Sequence, residues 1–241
     1  MSRTVSTPST KYHSADLSPL SAGYLDSAAI PAGGNSGALL HEGEDEMSNI
    51  PGYTHGTPSV PRSPVSLTVF EQMKASVLFG EEDVKYLRMS HDIVKGRVEA
   101  ILDVWYGFVG SQPHLLASFS GRTDGKPLGD YLGLVRKRFG QWILDTSRAQ
   151  YDQAWLDYQH EIGLRHHRAK KNKTDGAPST DVVPFRDLFA LIFPVTFTLR
   201  PFLAEQGHSA ADVEKMAAAW LKSCLLQVTL WAHPYVKDGD F

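Results

Sequence analysis

The chain has 241 residues, of which 42% are hydrophobic and 21% charged, and its formal net charge is -3. This is the composition of a globular protein with one substantial core, and the charge gives no overall pull toward nucleic acid or an anionic membrane. Cys224 is the single cysteine, which excludes an internal disulfide and a cysteine-based zinc cluster. No apolar run approaches the ~18 residues of a membrane span, and no apolar signal core opens the chain, so a cytoplasmic location is expected.

The first 64 residues contain no Trp and no Phe, while Ser, Gly, Pro and Thr recur. Such a stretch buries too little apolar surface to offset the entropy of ordering it. Residues 1–46 are therefore expected to form a disordered extension ending in the acidic "EGEDE", with one domain over 47–241. From Ser66 the spacing of apolar residues is helical. "SLTVFEQMKASVLF" sets Val69, Met73 and Val77 on one face. A long helix is expected over 81–110, with acidic residues in its first turn, where the helix dipole favours them. "SQPHLLASF" gives a short helix with Pro113 near its front. Helices are then expected over about 128–145, 150–171, 184–206 and 209–233. Ser209, with Asp212 three residues on, reads as the cap of the last one. No segment alternates with period two, so the domain is all-α.

"EIGLRHHRAKKNK", residues 161–173, sets two histidines side by side. Counting back from His166 in helical steps gives Ile162, Tyr158 and Trp155, an apolar stripe. The same count from His167 gives Gly163, His160, Leu156 and Asp152, a mostly polar face. His166 is expected to point inward. A histidine on an apolar stripe is more often a hydrogen-bonded core residue than a ligand, so spacing alone leaves both readings open. A zinc-protease helix needs His-Glu-x-x-His, and Leu164 stands where the second histidine is required. The basic run also fits a nucleic-acid patch, but cations at a helix C-terminus are favoured by the dipole anyway, and no nucleic-acid partner is expected. A Ser–His–Asp hydrolase lacks its nucleophile elbow. Iron in a flat macrocycle remains; it needs one axial imidazole and a wall of large apolar side chains. Leu132, Val135, Phe139 and Trp142 offer one such face. Trp105, Tyr106, Phe108, Leu115, Leu116 and Phe119 offer a second; Val183, Phe185, Leu188, Leu191, Ile192 and Val195 offer a third.

The sequence resembles the protoglobins, single-domain relatives of globin-coupled sensors. The matching stretches are "IPGYT", "ILDVWYGFVGSQPHLL", "VRKRFGQWILDTS", "YDQAWLDYQHEIGLRHHRAKKN", "PFLAEQGHS", "VEKM" and "LQVTLWAHPYVKDGDF", in family order over about Met47 to Phe241. The resemblance implies a globin-like helical sandwich with an extra N-terminal helix and a preceding N-terminal segment over the haem. It implies haem b with His166 as proximal ligand, the pair Trp105 and Tyr106 on the distal side, and Phe139 beside them. Phe119, Val135, Leu188 and Val195 fall at its pocket-lining positions. Leu191 stands where the family places an aromatic residue, which alters the expected tunnel shape. A homodimer through the last two helices is also implied.

The reading that follows is reversible binding of O2, CO or NO at a five-coordinate iron, in a gas carrier or sensor. The Nδ1 proton of His166 needs an acceptor, expected at a carbonyl near Ile162, and Tyr106 is the available distal hydroxyl. Arg138 is a candidate for a haem propionate, or is simply solvated. The alternatives are a haem redox enzyme (NO dioxygenase, nitrite reductase or peroxidase-like) and a helical interaction protein with no haem. No flavin, nicotinamide or signalling output domain is read in the chain, so an enzyme would need a separate electron donor and a sensor a separate partner.

Overall fold

Nine α-helices and no strand form among residues 50–241, the part of the chain that the computed structural model describes. The expected extension over 1–46 lies outside the described residues. The helices are α1 (Leu67–Ser76), α2 (Glu81–Lys95), α3 (Val98–Ser111), α4 (Pro113–Leu116), α5 (Gly129–Arg148), α6 (Gln153–His166), α7 (Phe185–Ala190), α8 (Ile192–Leu203) and α9 (Ala210–Ala232). Their starts are chemically marked. Ser66 accepts from the Val69 N–H, Asp152 from Trp155 and Ser209 from Asp212. Each cap satisfies a backbone donor that has no partner inside the helix.

Three helices depart from the expected lengths. The run over 81–110 divides at Gly96 and Arg97 into α2 and α3. Glycine disfavours a helix interior, and the Arg97 N–H bonds Val94 O in a tight turn. The run over 184–206 divides at Leu191. Pro194 has no N–H to give the carbonyl four residues back, so a continuous helix would lose a bond there. The third, α6, stops at His166 rather than at 171, and His167 is already extended.

α9 is the spine of the domain and packs against α2, α6 and α8. Met216, Trp220, Leu226 and Gln227 on it are fully buried. A polar thread runs through this core. Trp142 Nε1 donates to Gln227 Oε1 at 2.6 Å, and the Gln227 amide donates to Thr146 and Ser223 at 3.2 Å each. Buried polar groups stabilise only when paired, and an orphaned one costs about 1–3 kcal/mol. Gln227→Leu leaves the Trp142 indole N–H without its acceptor. It is expected to lower the unfolding free energy by about 1–3 kcal/mol, read from urea denaturation midpoints. An unchanged midpoint would show that this thread contributes nothing.

Candidate functional site

Helices α3 to α9 each contribute to the wall of a cavity of about 260 Å³. From α3 come Trp105 and Tyr106; from the turn after α4, Phe119; from α5, Val135, Arg138 and Phe139; from α6, Tyr158, Ile162 and His166. Val183, Leu188, Leu191 and Val195 close the other side. Of the residues expected in the walls, Phe108, Leu116, Leu132 and Phe185 do not line this cavity. Phe185 is the first residue of α7, 44% exposed, with its ring on Phe189 and Tyr235.

His166 is the last residue of α6. Its Nδ1 lies 2.8 Å from Ile162 O. A carbonyl only accepts, so Nδ1 carries the proton. Burial holds the imidazole's pKa below its ordinary value and keeps it neutral. A neutral ring protonated on Nδ1 keeps its lone pair on Nε2, in a side chain that lines the cavity. The backbone is fixed as well: the His166 carbonyl accepts from the Val183 N–H, and the Val183 carbonyl accepts from Tyr235 Oη. His167 is turned away, with its Nδ1 accepting from the Ala169 N–H and its ring edge-on to Tyr235.

The opposite wall is aromatic. Phe139 meets Trp105 edge-to-face at 5.7 Å between centroids and stacks on Trp142 at 5.3 Å. Tyr106 packs at 6.4 Å against both Phe119 and Phe139. Its hydroxyl forms no hydrogen bond with any described residue, and burial raises the phenol's pKa, so the proton stays on oxygen.

Three cations also border the cavity. Arg138 is neither solvated nor unpaired. It makes a two-pronged bond to Asp175, at 2.9 and 2.6 Å, and donates to Pro51 O. Arg165 donates to Gly52 O, to Thr54 and to the buried Glu161. Lys171 reaches Ser118 O at 2.9 Å and Tyr131 Oη at 3.2 Å. The basic run is thus largely spent within the molecule, because Lys170 also pairs with Glu161. Arg138 and Arg165, at the cavity edge, strap residues 51–54 to α5 and α6. Tyr53 adds a bond from its hydroxyl to Asp145 at 2.7 Å.

Sequence reasoning missed Arg165, Lys171 and Trp231 as lining residues, while Trp142, expected in the wall, does line the cavity. For Trp231 a signal existed: Cys224, Val228 and Trp231 recur at i, i+4 and i+7, and all three line the cavity. Among the described residues no group of three or more His, Cys, Asp or Glu side chains could gather a metal ion. A metal held at His166 must therefore bring its other ligands with it, as a macrocycle does. The neutral imidazole, the apolar walls and the bordering cations fit that group.

Lys171 is 6% exposed, and burial pushes its ammonium pKa down to about 8 from 10.5. Between these values the unfolded chain binds a proton that the folded chain has released, so stability rises with pH. The cost of the buried charge is complete below pH 8 and is relieved toward pH 10.5. Wild type should therefore gain stability relative to Lys171→Met across that window, in urea midpoints taken at its two ends. A constant difference would mean that the ammonium is not shifted.

The model of the protoglobin family matches residues 68–241. The strap at 51–54 lies ahead of that stretch, although the resemblance read from sequence began near Met47. No curated protein matches the chain. Among solved structures, the globin domain of the Geobacter sulfurreducens globin-coupled sensor is similar, with a TM-score of 0.54 and 14% identity. It covers 69% of this chain and 97% of that one. This likeness bears out the globin-like architecture expected from the sequence. A globin-family assignment implies haem binding. With its family model spanning most of its length, the chain belongs to the protoglobin family.

Proposed function

We propose that the protein binds haem b through His166 and takes up O2, CO or NO reversibly on the side lined by Trp105, Tyr106 and Phe139. The observation that carries this reading is the His166 imidazole itself, neutral, tied through Nδ1 to Ile162 O, and lining an apolar cavity in a globin-family chain. Haem supplies the iron at which a diatomic gas binds. The protein does the rest. The Ile162 carbonyl fixes the imidazole tautomer and raises the basicity of Nε2. The apolar walls exclude water and with it the protons that promote oxidation of the iron. The Tyr106 hydroxyl, unpaired and protonated, is a hydrogen-bond donor for the negative charge that gathers on bound O2, worth roughly 1–3 kcal/mol when buried and charge-assisted. Trp105 and Phe139 supply the bulk that limits the size of the ligand. Arg138, Arg165 and Lys171 offer positive charge for the haem carboxylates.

A homodimer through α8 and α9 belongs to the same reading. Phe193 and Phe197 stack on one another at 5.4 Å while 69% and 44% exposed, and Leu221 on α9 is 41% exposed. Apolar surface of this kind on two neighbouring helices suits a four-helix interface. Among the described residues no helix is long and apolar enough to cross a membrane. Carrier and sensor share this one site.

The test is an absorption spectrum of purified protein, ferric, then reduced, then under CO. His166→Ala is expected to lose the haem band and its CO-induced shift, while His167→Ala keeps both. Equal loss in the two variants would overturn the choice of His166. In stopped-flow experiments Tyr106→Phe is expected to release O2 about tenfold faster, the kinetic equivalent of a bond near 1.4 kcal/mol. An unchanged rate would remove Tyr106 from the stabilising role.

A further inference from the structure

The His166 imidazole and the Trp231 indole are nearly parallel, with 10° between their planes and 5.2 Å between centroids. This is an offset stack of two flat rings. The indole is itself fixed. Its Nε1–H donates to Gln159 Oε1 at 2.8 Å, and Gln159 is 2% exposed. Gln159, Gly163 and His166 stand at i, i+4 and i+7 of α6, hence on one face. Gly163 leaves the middle of that face open, since a Cβ there would lie 2.9 Å from Trp231 Cα. The tryptophan is therefore seated at its backbone by Gly163, held at its nitrogen by Gln159, and laid ring to ring on His166. One hydrogen bond at Nδ1 fixes the tautomer of the imidazole but leaves the ring free to rock about that contact. A stacked indole removes that freedom.

We infer that Trp231 is a positioning residue: its indole sets the plane in which His166 presents Nε2 to haem iron. The inference rests on the reading of His166 as the axial ligand. Trp231 acts only through His166, and partners of this kind tune both the strength and the orientation of a metal ligand. A purely structural tryptophan would alter stability without altering the imidazole.

The experiment uses the full chain with labelled histidine, first haem-free and then reconstituted with hemin and reduced. In the haem-free protein Trp231→Leu is expected to move the imidazole resonances that His166→Ala abolishes. After reconstitution it is expected to lower and broaden the iron–histidine stretching band and to release hemin about tenfold faster. Trp231→Phe, which keeps a flat ring, is expected to restore the band. If Trp231→Leu does not fold, Gln159→Met removes the acceptor that holds the indole and should shift the band in the same direction. A folded Trp231→Leu, or failing that Gln159→Met, with wild-type resonances and a wild-type band overturns the inference while leaving the ligand assignment intact. Retention of haem by His166→Ala overturns both.

Discussion

The site depends on where α6 stops. A helix continuing past His166 would bond the His166 carbonyl internally and carry the basic residues out along its own axis. Because the helix ends there, that carbonyl is left open and accepts from Val183 instead. The returning chain is thereby drawn against the last turn of α6, and Val183 is delivered into the cavity wall. The turns that follow fold Lys170 back onto Glu161 and Lys171 onto Ser118. The unpaired carbonyls that every helix end leaves behind are here used for construction.

Charge at the cavity edge is balanced locally. Arg138 is matched by Asp175, and Arg165 and Lys170 share Glu161, which is 1% exposed. A buried carboxylate that loses one of two cations keeps most of its desolvation cost and less of its compensation. Arg138 and Arg165 also hold the carbonyls of Pro51 and Gly52. Removing either one therefore loosens the strap and unbalances a buried acid together, so its effect cannot be read as that of a single charge.

The inward histidine was legible because its helix is amphipathic up to His166, and the Ile162 acceptor follows from helix geometry alone. The all-α class and the Ser209 cap were legible for the same reason: they depend on residues close in sequence. Pro194 and Gly96 were visible, but periodicity ran across them, and the expected helices were too long as a result. Phe185 shares an apolar run with Leu188 but stays outside the cavity lining, because the first residue of a helix can lie beyond the wall that the rest of the helix builds. Arg165 and Lys171 were missed because the basic run was read as helix, where the dipole accounts for it and no inward route exists. Trp231 was hidden for a different reason. α9 is apolar around much of its circumference, being packed by α2, α6, α7 and α8, so the Cys224–Val228–Trp231 face is one of several that compete.

The strap at 51–54 is joined to the body by contacts that span 87 residues at Arg138, 92 at Asp145 and 113 at Arg165. Closing such large loops costs chain entropy that is recovered only when α5 and α6 already stand in place. Topology therefore favours an order of assembly in which the helices come first and residues 51–54 dock last. The same few bonds are the easiest to give up, since local opening draws on segments with little buried apolar contact. A segment that docks last is thus also one that can detach while the helices around it stay packed.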